Sequence, residues 1–214
     1  MSFSHTLKRV LSFVYPILLE KIPSEINGDL ELSLQNGRLV VDSKLANYSY
    51  GSLHEVFQKI IKKFTFHPAQ KEVLILGFGA GSIATILNRE EQLNLQIDGV
   101  DLDPVLLAIY KKNFQFKYSQ CVIYQSDVVL YLESCSKQYD YIFIDVFVNL
   151  DVPESLKNKH FLELLQKVSR PNTQLAMNTM LGKDDDFVKA WMDVFASNAS
   201  SKRYHSDNLV LFKF

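Results

Sequence analysis

Hydrophobic and polar residues change spacing several times in the first third of the chain. Residues 4–20 have a helical pattern, which Pro16 is expected to kink or break. Residues 30–34 then alternate between leucine and polar side chains, and Asn36-Gly37 separates them from a second apolar run. Because both central residues of a type I′ turn need positive φ, this pair favours a tight β-hairpin. Apolar positions on one face predict a further helix over residues 52–64.

From Val73 onward, short apolar runs alternate with helical stretches. The predicted strands cover residues 73–76, 96–100, 121–124, 141–144 and 174–177. The predicted helices cover residues 82–87, 104–114, 128–133, 154–168 and 185–195. Such alternation is typical of a parallel sheet with right-handed crossovers. Two last strands, 202–205 and 209–212, form a terminal hairpin, which places one antiparallel strand in an otherwise parallel sheet.

Composition excludes several classes of protein. The 214 residues are 47% hydrophobic and 22% charged, as in ordinary globular proteins, and the net charge of -1 provides no field that would attract nucleic acid. Cys121 and Cys135 have no metal-ligand spacing and make no disulfide framework, which suits a reducing, cytoplasmic location. The apolar stretch at residues 10–19 is too short to cross a bilayer and has no cleavage site, so no membrane association is expected.

A glycine-rich loop, Gly77-Phe78-Gly79-Ala80-Gly81, follows the first strand of the alternating region and precedes a helix. Glycine permits the turn out of the strand and a close backbone approach to a ligand, and the helix N-terminus favours an anionic group. This context predicts a nucleotide site, although a tight turn without a ligand is the alternative. The dinucleotide fingerprint requires glycine or alanine where this chain has Ser82, which favours S-adenosylmethionine (SAM) over NAD.

Acidic residues follow the next two strands. Asp101, with Leu102 beside it, ends the second strand, where a carboxylate can accept hydrogen bonds from both ribose hydroxyls. Asp103 is expected to cap the helix that begins at Pro104. Ser126 and Asp127 follow the third strand, where Asp127 can accept a hydrogen bond from an adenine amino group or cap the next helix. We interpret both segments as ligand-binding, with helix capping as the alternative.

Asp145 ends the apolar fourth strand, in the crevice where folds of this type bind ligands. A carboxylate at this place can orient an amine nucleophile or take its proton, and we assign it as the catalytic residue. The alternative is a solvated acid at a strand end.

Together these segments resemble the spermidine synthase-like branch of the class I SAM-dependent methyltransferases. The likeness covers about residues 29–180 and is carried in order by the segments Leu39–Asp42, Tyr48–Glu55, Gly77–Gly81, Val100–Pro104 and Tyr139–Asp145. The resemblance implies a Rossmann-like methyltransferase fold with a mostly parallel seven-stranded sheet and an antiparallel terminal strand, plus an N-terminal helix and β-hairpin. We divide the chain into residues 1–66, with the N-terminal helix, the β-hairpin and a linking helix, and a SAM-binding Rossmann-like domain at 67–214. The resemblance also implies a nucleoside bound by Asp101 and Asp127, with Asp145 near the reacting end.

Two positions depart from the pattern of that family. Spermidine synthases have an aspartate where this chain has Ala80, and it holds the aminopropyl amine. They have a second aspartate, which helps to bind the diamine, where this chain has Val148. Without these carboxylates the site lacks charge complementarity to a diamine and no longer repels the carboxylate of intact SAM. The departures therefore favour SAM over decarboxylated SAM.

The leading hypothesis from the sequence is a SAM-dependent methyltransferase with an unknown small-molecule acceptor, such as an amine. The alternatives are an aminopropyltransferase that uses decarboxylated SAM and a nucleoside-binding module without catalysis. Tyr48, Tyr50 and His54 are candidates to contact the substrate, with packing between the hairpin and the sheet as the alternative. The scattered histidines indicate no metal site, and the resemblance suggests a homodimer formed through the N-terminal region.

Overall fold

The N-terminal residues form a helix and then a strand, in place of one long helix. The computed structural model describes residues 3–44, 47–49, 52–115, 120–148, 151–179, 200–204 and 209–213. Helix α1 spans Phe3–Leu11, and strand β1 spans Ile17–Ser24. The prediction of a helix over 4–20 is therefore wrong beyond residue 11. Pro16 disfavours a helical residue before it, and the residues after it pair along their length with β2, a partner that local spacing does not reveal.

The predicted hairpin is part of a larger antiparallel sheet. In the described part of the chain, β1, β2 (Gly28–Gln35), β3 (Arg38–Asp42) and β4 (Asn47–Ser49) form one sheet in that order. Asn36 and Gly37 have φ values of 49° and 74°, which confirms the turn that their sequence predicts. Pro23 lies in the edge strand β1, where a missing amide hydrogen is tolerated.

The second sheet contains the alternating region. Its described strands are β5 (Glu72–Leu76), β6 (Gln96–Asp101), β7 (Gln120–Gln125), β8 (Tyr139–Ile144), β9 (Ser169–Asn178), β10 (Ser200–Tyr204) and β11 (Leu209–Lys213). They lie in the order β10-β11-β9-β8-β5-β6-β7. The strands from β5 to β9 are parallel, whereas β11 is antiparallel to both β9 and β10. The predicted seven-stranded, mostly parallel sheet with an antiparallel terminal strand is confirmed.

The helices follow the predicted order with two local differences. They are α2 (Ser52–Ile61), α3 (Ser82–Thr85), α4 (Pro104–Asn113), α5 (Val128–Ser134) and α6 (Lys159–Val168). A π-helical turn, Ile86–Glu90, extends α3. The helix predicted over 154–168 is divided, because Asn158 caps α6 by accepting a hydrogen bond from the Phe161 amide, and a 3-10 turn precedes it. The helix predicted over 185–195 lies outside the described residues.

The core lies on both faces of the central sheet. Every residue of β8 is buried, as expected for a central parallel strand that is covered on both sides. One apolar cluster joins the sheet to α2, α3, α4 and the N-terminal sheet, and a second joins it to α5 and α6. Both clusters hold β5 and β8 rigidly side by side, so the residues that follow these two strands have fixed positions.

Candidate active site

The glycine loop begins where the ends of β5 and β8 meet. Gly77, Gly79 and Gly81 all have positive φ, at 79°, 55° and 82°. A Cβ at residue 77 would lie 2.1 Å from the carbonyl oxygen of Asp145, so no other residue fits this place. The Asp145 amide in turn donates to the Leu76 carbonyl at 2.8 Å. The loop and the acid that the sequence singles out are therefore in direct backbone contact.

Two side chains of the loop belong to the core. Phe78 is 3% exposed and Ala80 is 1% exposed. The Phe78 ring packs edge-on against Tyr110 at 4.7 Å between ring centroids. It occupies space left by Gly99, where a Cβ would lie 2.2 Å from the ring. A ligand contact by Phe78 or Ala80 would therefore come from main-chain atoms. The amides of all five loop residues already donate within the protein, to Val100, Asp101, Tyr48 and Phe78.

Asp101 connects the glycine loop to the end of β6. Its Oδ2 accepts a hydrogen bond from the Gly79 amide at 2.7 Å, and its Oδ1 accepts from the Asp103 amide at 2.9 Å. Burial raises the pKa of Asp101, and the hydrogen bonds from backbone amides partly oppose that increase. Leu102, the next residue, is 51% exposed and provides an apolar surface beside this carboxylate. Contact of Asp101 and Leu102 with a nucleoside stays a prediction.

The acids after β6 and β7 cap helices. Asp103 accepts from the Val105 amide at 2.8 Å, as predicted. Asp127 Oδ1 accepts from the amides of Val129 and Leu130 at 2.8 and 3.2 Å. Asp127 therefore caps α5, which is the alternative that the sequence analysis gives for this residue. Ser126 donates its amide hydrogen to the Asp101 carbonyl at 3.0 Å. The two strand ends are thereby joined, and an adenine contact by Ser126 or Asp127 stays a prediction.

Asp145 is held in a partly buried position by a side chain that the sequence analysis missed. Its Oδ1 accepts a hydrogen bond from the Asn178 side-chain amide at 2.9 Å. Burial raises the pKa of Asp145 to about 7, the nearby Asp101 charge adds to the increase, and the Asn178 hydrogen bond opposes it. Asn178 ends β9, the strand beside β8, so its place after a predicted strand was the available signal. A carboxyl group with this pKa can exchange a proton at neutral pH.

The three residues proposed to contact substrate do not share one environment. His54 is 2% exposed, with its ring nitrogens 3.0 Å from Ser82 Oγ and 3.2 Å from Glu90 Oε1. Burial lowers its pKa, which Glu90 opposes. His54 therefore joins α2 to the helix after the glycine loop, and substrate contact by this residue stays a prediction. Tyr48 lies against the glycine loop, where its carbonyl accepts from the Ala80 amide at 3.3 Å. Tyr50 lies outside the described residues.

Metal sites and membrane-spanning helices can be examined in the described residues only. Within the described ranges, no group of three or more histidine, cysteine or acidic side chains could hold a metal ion. No described helix has the length and apolar character needed to cross a membrane.

Comparison with known proteins agrees with this architecture. The model of the spermine/spermidine synthase domain family matches residues 54–181. A polyamine aminopropyltransferase of Vibrio vulnificus is 29% identical over 118 residues, which are 53% of this chain and 39% of that protein. The match thus spans about two-fifths of the length of that curated relative.

Solved structures show the same fold at low sequence identity. A probable spermidine synthase from Corynebacterium glutamicum has a TM-score of 0.62 at 16% identity, over 93% of this chain and 77% of that chain. Human Methyltransferase-like protein 13, solved in complex with SAH (S-adenosylhomocysteine), has a TM-score of 0.55 at 16% identity, over 75% of this chain and 78% of that chain. The Rossmann-like methyltransferase fold is confirmed.

The raised pKa of Asp145 predicts a pH-dependent stability. An ordinary aspartate titrates near pH 3.9, whereas this carboxyl group titrates at about 7 in the folded protein. Since the folded state binds the proton more tightly, the free energy of unfolding contributed by this group falls as pH rises from about 4 to about 7. Asp145→Asn should remove that fall, measured by urea unfolding at pH 5 and pH 8. Asp29→Asn, at an exposed position on β2, is the control and should behave like wild type. Equal pH dependence of wild type and Asp145→Asn would contradict the assignment.

Proposed function

Because the chain belongs to the spermine/spermidine synthase domain family, we propose that it is a transferase that moves a carbon group from an adenosyl sulfonium donor to an amine. The observation that carries the proposal is the position of Asp145, with its pKa of about 7, in backbone contact with the glycine loop. Main-chain atoms of the loop would hold the donor, Asp101 would accept hydrogen bonds from its ribose, and Asp127 would contact the adenine.

Asp145 supplies the proton transfer that such a reaction needs. The amine nitrogen attacks the carbon bound to the sulfonium, and the carbon–sulfur bond breaks with its electron pair passing to sulfur. The sulfonium becomes a neutral thioether, and the nitrogen gives up a proton to the Asp145 carboxylate. Asn178 fixes the orientation of that carboxylate through a 2.9 Å hydrogen bond. Most of the rate enhancement would come from aligning nitrogen, carbon and sulfur.

Aminopropyl transfer from decarboxylated SAM is the form of this reaction that the relatives favour. The curated relatives are polyamine aminopropyltransferases. The structure also offers a carboxylate near Val148, the position at which the sequence departs from the family. Val148 and Asp151 exchange two backbone hydrogen bonds, of 2.9 and 3.0 Å. In such an antiparallel pair both side chains lie on one face, with Cβ atoms about 5 Å apart. Asp151 thus places an acid beside the position where the family has one.

Methyl transfer from SAM is the second candidate, and Ala80 favours it. The side chain of Ala80 is 1% exposed and packs in the core. The loop contains no acid that could bind the amine of an aminopropyl group. Exposed Val148 contributes an apolar surface to the acceptor side, with 60% of the residue accessible. A nucleoside-binding module without catalysis is the third candidate. It would bind an adenosyl ligand but transfer neither group.

A ligand series should separate these candidates. Thermal shifts of the purified chain are measured with SAM, S-adenosylhomocysteine, decarboxylated SAM and NAD. An adenosyl sulfonium or its thioether should stabilise the protein, and NAD should not. Asp101→Ala should reduce the affinity for S-adenosylhomocysteine about tenfold or more, since hydrogen bonds to a charged group contribute about 1.5–3 kcal/mol each. Stabilisation by none of the adenosyl ligands would refute the donor assignment, and unchanged affinity in Asp101→Ala would refute the ribose contact.

Replacement of Asp145 should affect catalysis more than binding. Product formation is followed by chromatography. Methylthioadenosine is measured with decarboxylated SAM and a diamine, and S-adenosylhomocysteine is measured with SAM and a monoamine. The wild-type rate should rise with pH through about 7 as the carboxyl group ionises. Asp145→Asn should lower the rate about 10²- to 10⁴-fold while S-adenosylhomocysteine affinity changes little. Transfer by Asp145→Asn at the wild-type rate would exclude its role as base. Donor binding without transfer by wild type would favour the module.

Asp151 distinguishes the two transfer reactions. If the chain transfers an aminopropyl group to a diamine, Asp151→Asn should raise the KM for the diamine about tenfold and leave the affinity for the donor unchanged, because the far ammonium loses its partner. Glu154→Gln changes the charge of a nearby exposed acid and serves as the matched control. A diamine KM equal to that of wild type would show that Asp151 does not replace the acid absent at residue 148.

A further inference from the structure

A fully buried carboxylate ties the N-terminal sheet to the segment after β6. Asp103 is 0% exposed and accepts three hydrogen bonds from described residues. One comes from the Val105 amide in α4. The other two come from the end of β1, through Ser24 Oγ at 2.5 Å, and from the turn that follows it, through the Asn27 side-chain amide at 2.7 Å. Because a buried carboxylate without donors is costly, the turn and the β6–α4 segment hold each other in place.

Asn27 also connects this turn to β4 through a hydrogen bond with Tyr48. Asn27 Oδ1 accepts a hydrogen bond from the Tyr48 hydroxyl at 2.9 Å. Burial raises the pKa of Tyr48, a hydrogen bond with Ser43 opposes the increase, and the charges of Asp101 and Asp103 add to it. The hydroxyl therefore keeps its proton and can donate it. The carbonyl of Tyr48 accepts from the Ala80 amide at 3.3 Å and would lie 3.2 Å from a Cβ at residue 79. The strand β4 thus packs directly on the glycine loop.

The connections close into a circuit. Asp101 accepts from the Gly79 amide on the loop side and from the Asp103 amide on the β6 side. The circuit therefore runs from Asp103 through Asn27 and Tyr48 to the glycine loop and returns through Asp101. Two of its members, Asn27 and Tyr48, precede the glycine loop in sequence, and Ser24 braces the circuit by donating to Asp103. The two segments on which the proposed donor site depends are held at a fixed separation by the N-terminal sheet.

We propose that Asn27 and Tyr48 are positioning residues for the adenosyl donor, and that they act by fixing the glycine loop against the Asp101–Asp103 segment. They need no contact with the ligand to do so. The inference rests on the proposed donor site, but its structural half, the restraint on the loop, can be measured without any ligand. A loop held in its binding geometry before the ligand arrives loses less conformational freedom on binding, which strengthens binding.

The test uses Tyr48→Phe and Asn27→Ala in the complete chain. Tyr48→Phe deletes one hydroxyl, keeps the backbone contact to Ala80, and is the milder change. Tyr131→Phe is the matched control, because it deletes another partly buried hydroxyl, one that bonds the Tyr139 hydroxyl at 2.8 Å outside this circuit. Amide hydrogen exchange over residues 77–81 is measured without ligand, and the Kd for S-adenosylhomocysteine is measured by calorimetry. Both test variants should exchange faster in the loop and bind about five- to tenfold more weakly, whereas the control should match wild type in both.

Each outcome decides a separate point. Loop exchange equal to that of wild type in both test variants would overturn the restraint. Faster exchange with an unchanged Kd would overturn the link to the donor. An equal loss of affinity in Tyr131→Phe would show that the effect follows general stability and would overturn the positioning role. Failure of wild type to bind any adenosyl ligand would refute the proposed function, and the exchange measurement would still test the restraint.

Discussion

Strands β5 and β8 end so close together that residue 77 has no room for a side chain beyond hydrogen. A Cβ there would overlap the carbonyl oxygen of Asp145 at 2.1 Å, and residue 77 also has a φ of 79°, which glycine adopts without strain. The contact determines where the loop leaves the sheet and how far Asp145 stands from it. The contact depends on the buried apolar residues of β5 and β8, which hold the two strands side by side.

The acids at this edge of the sheet differ in how burial is compensated. Asp103 is completely buried and is surrounded by donors from three segments. Asp101 shares its two oxygens between two backbone amides. Asp145 accepts from Asn178 alone among the described donors, so burial, with a contribution from the nearby charge of Asp101, raises its pKa to about 7. Burial thus raises the pKa of both Asp101 and Asp145, but backbone hydrogen bonds oppose the increase at Asp101, whereas one side-chain hydrogen bond opposes it at Asp145.

The features that the sequence predicts correctly are those determined by neighbouring residues. Asn36-Gly37 specifies its turn, the glycine loop specifies its departure from β5, and Pro104 marks the start of α4. Strand β1 was predicted as helix because its residues do not alternate between a buried and an exposed face, and its register with β2 shifts between Leu18 and Glu20. His54, expected in the substrate site, lies in α2 and is buried against Ser82 and Glu90, which are distant from it in sequence. Asn27 and Asn178 are ordinary loop and strand-end residues in the sequence, and only folding brings them to Asp103 and Asp145.

The two departures from the family show how a comparison made position by position can mislead. Valine at residue 148 removes a carboxylate from the motif, yet the backbone bridge from 148 to 151 presents Asp151 on the same face. Alanine at residue 80 has no such replacement within the loop, because its neighbours are glycines and a buried phenylalanine. In the proposed site, Asp151 would thus supply a charge near residue 148, whereas the loop around Ala80 has no equivalent acid. For the proposed transfer to an amine, Ala80 is therefore the position whose replacement bears on which group is transferred.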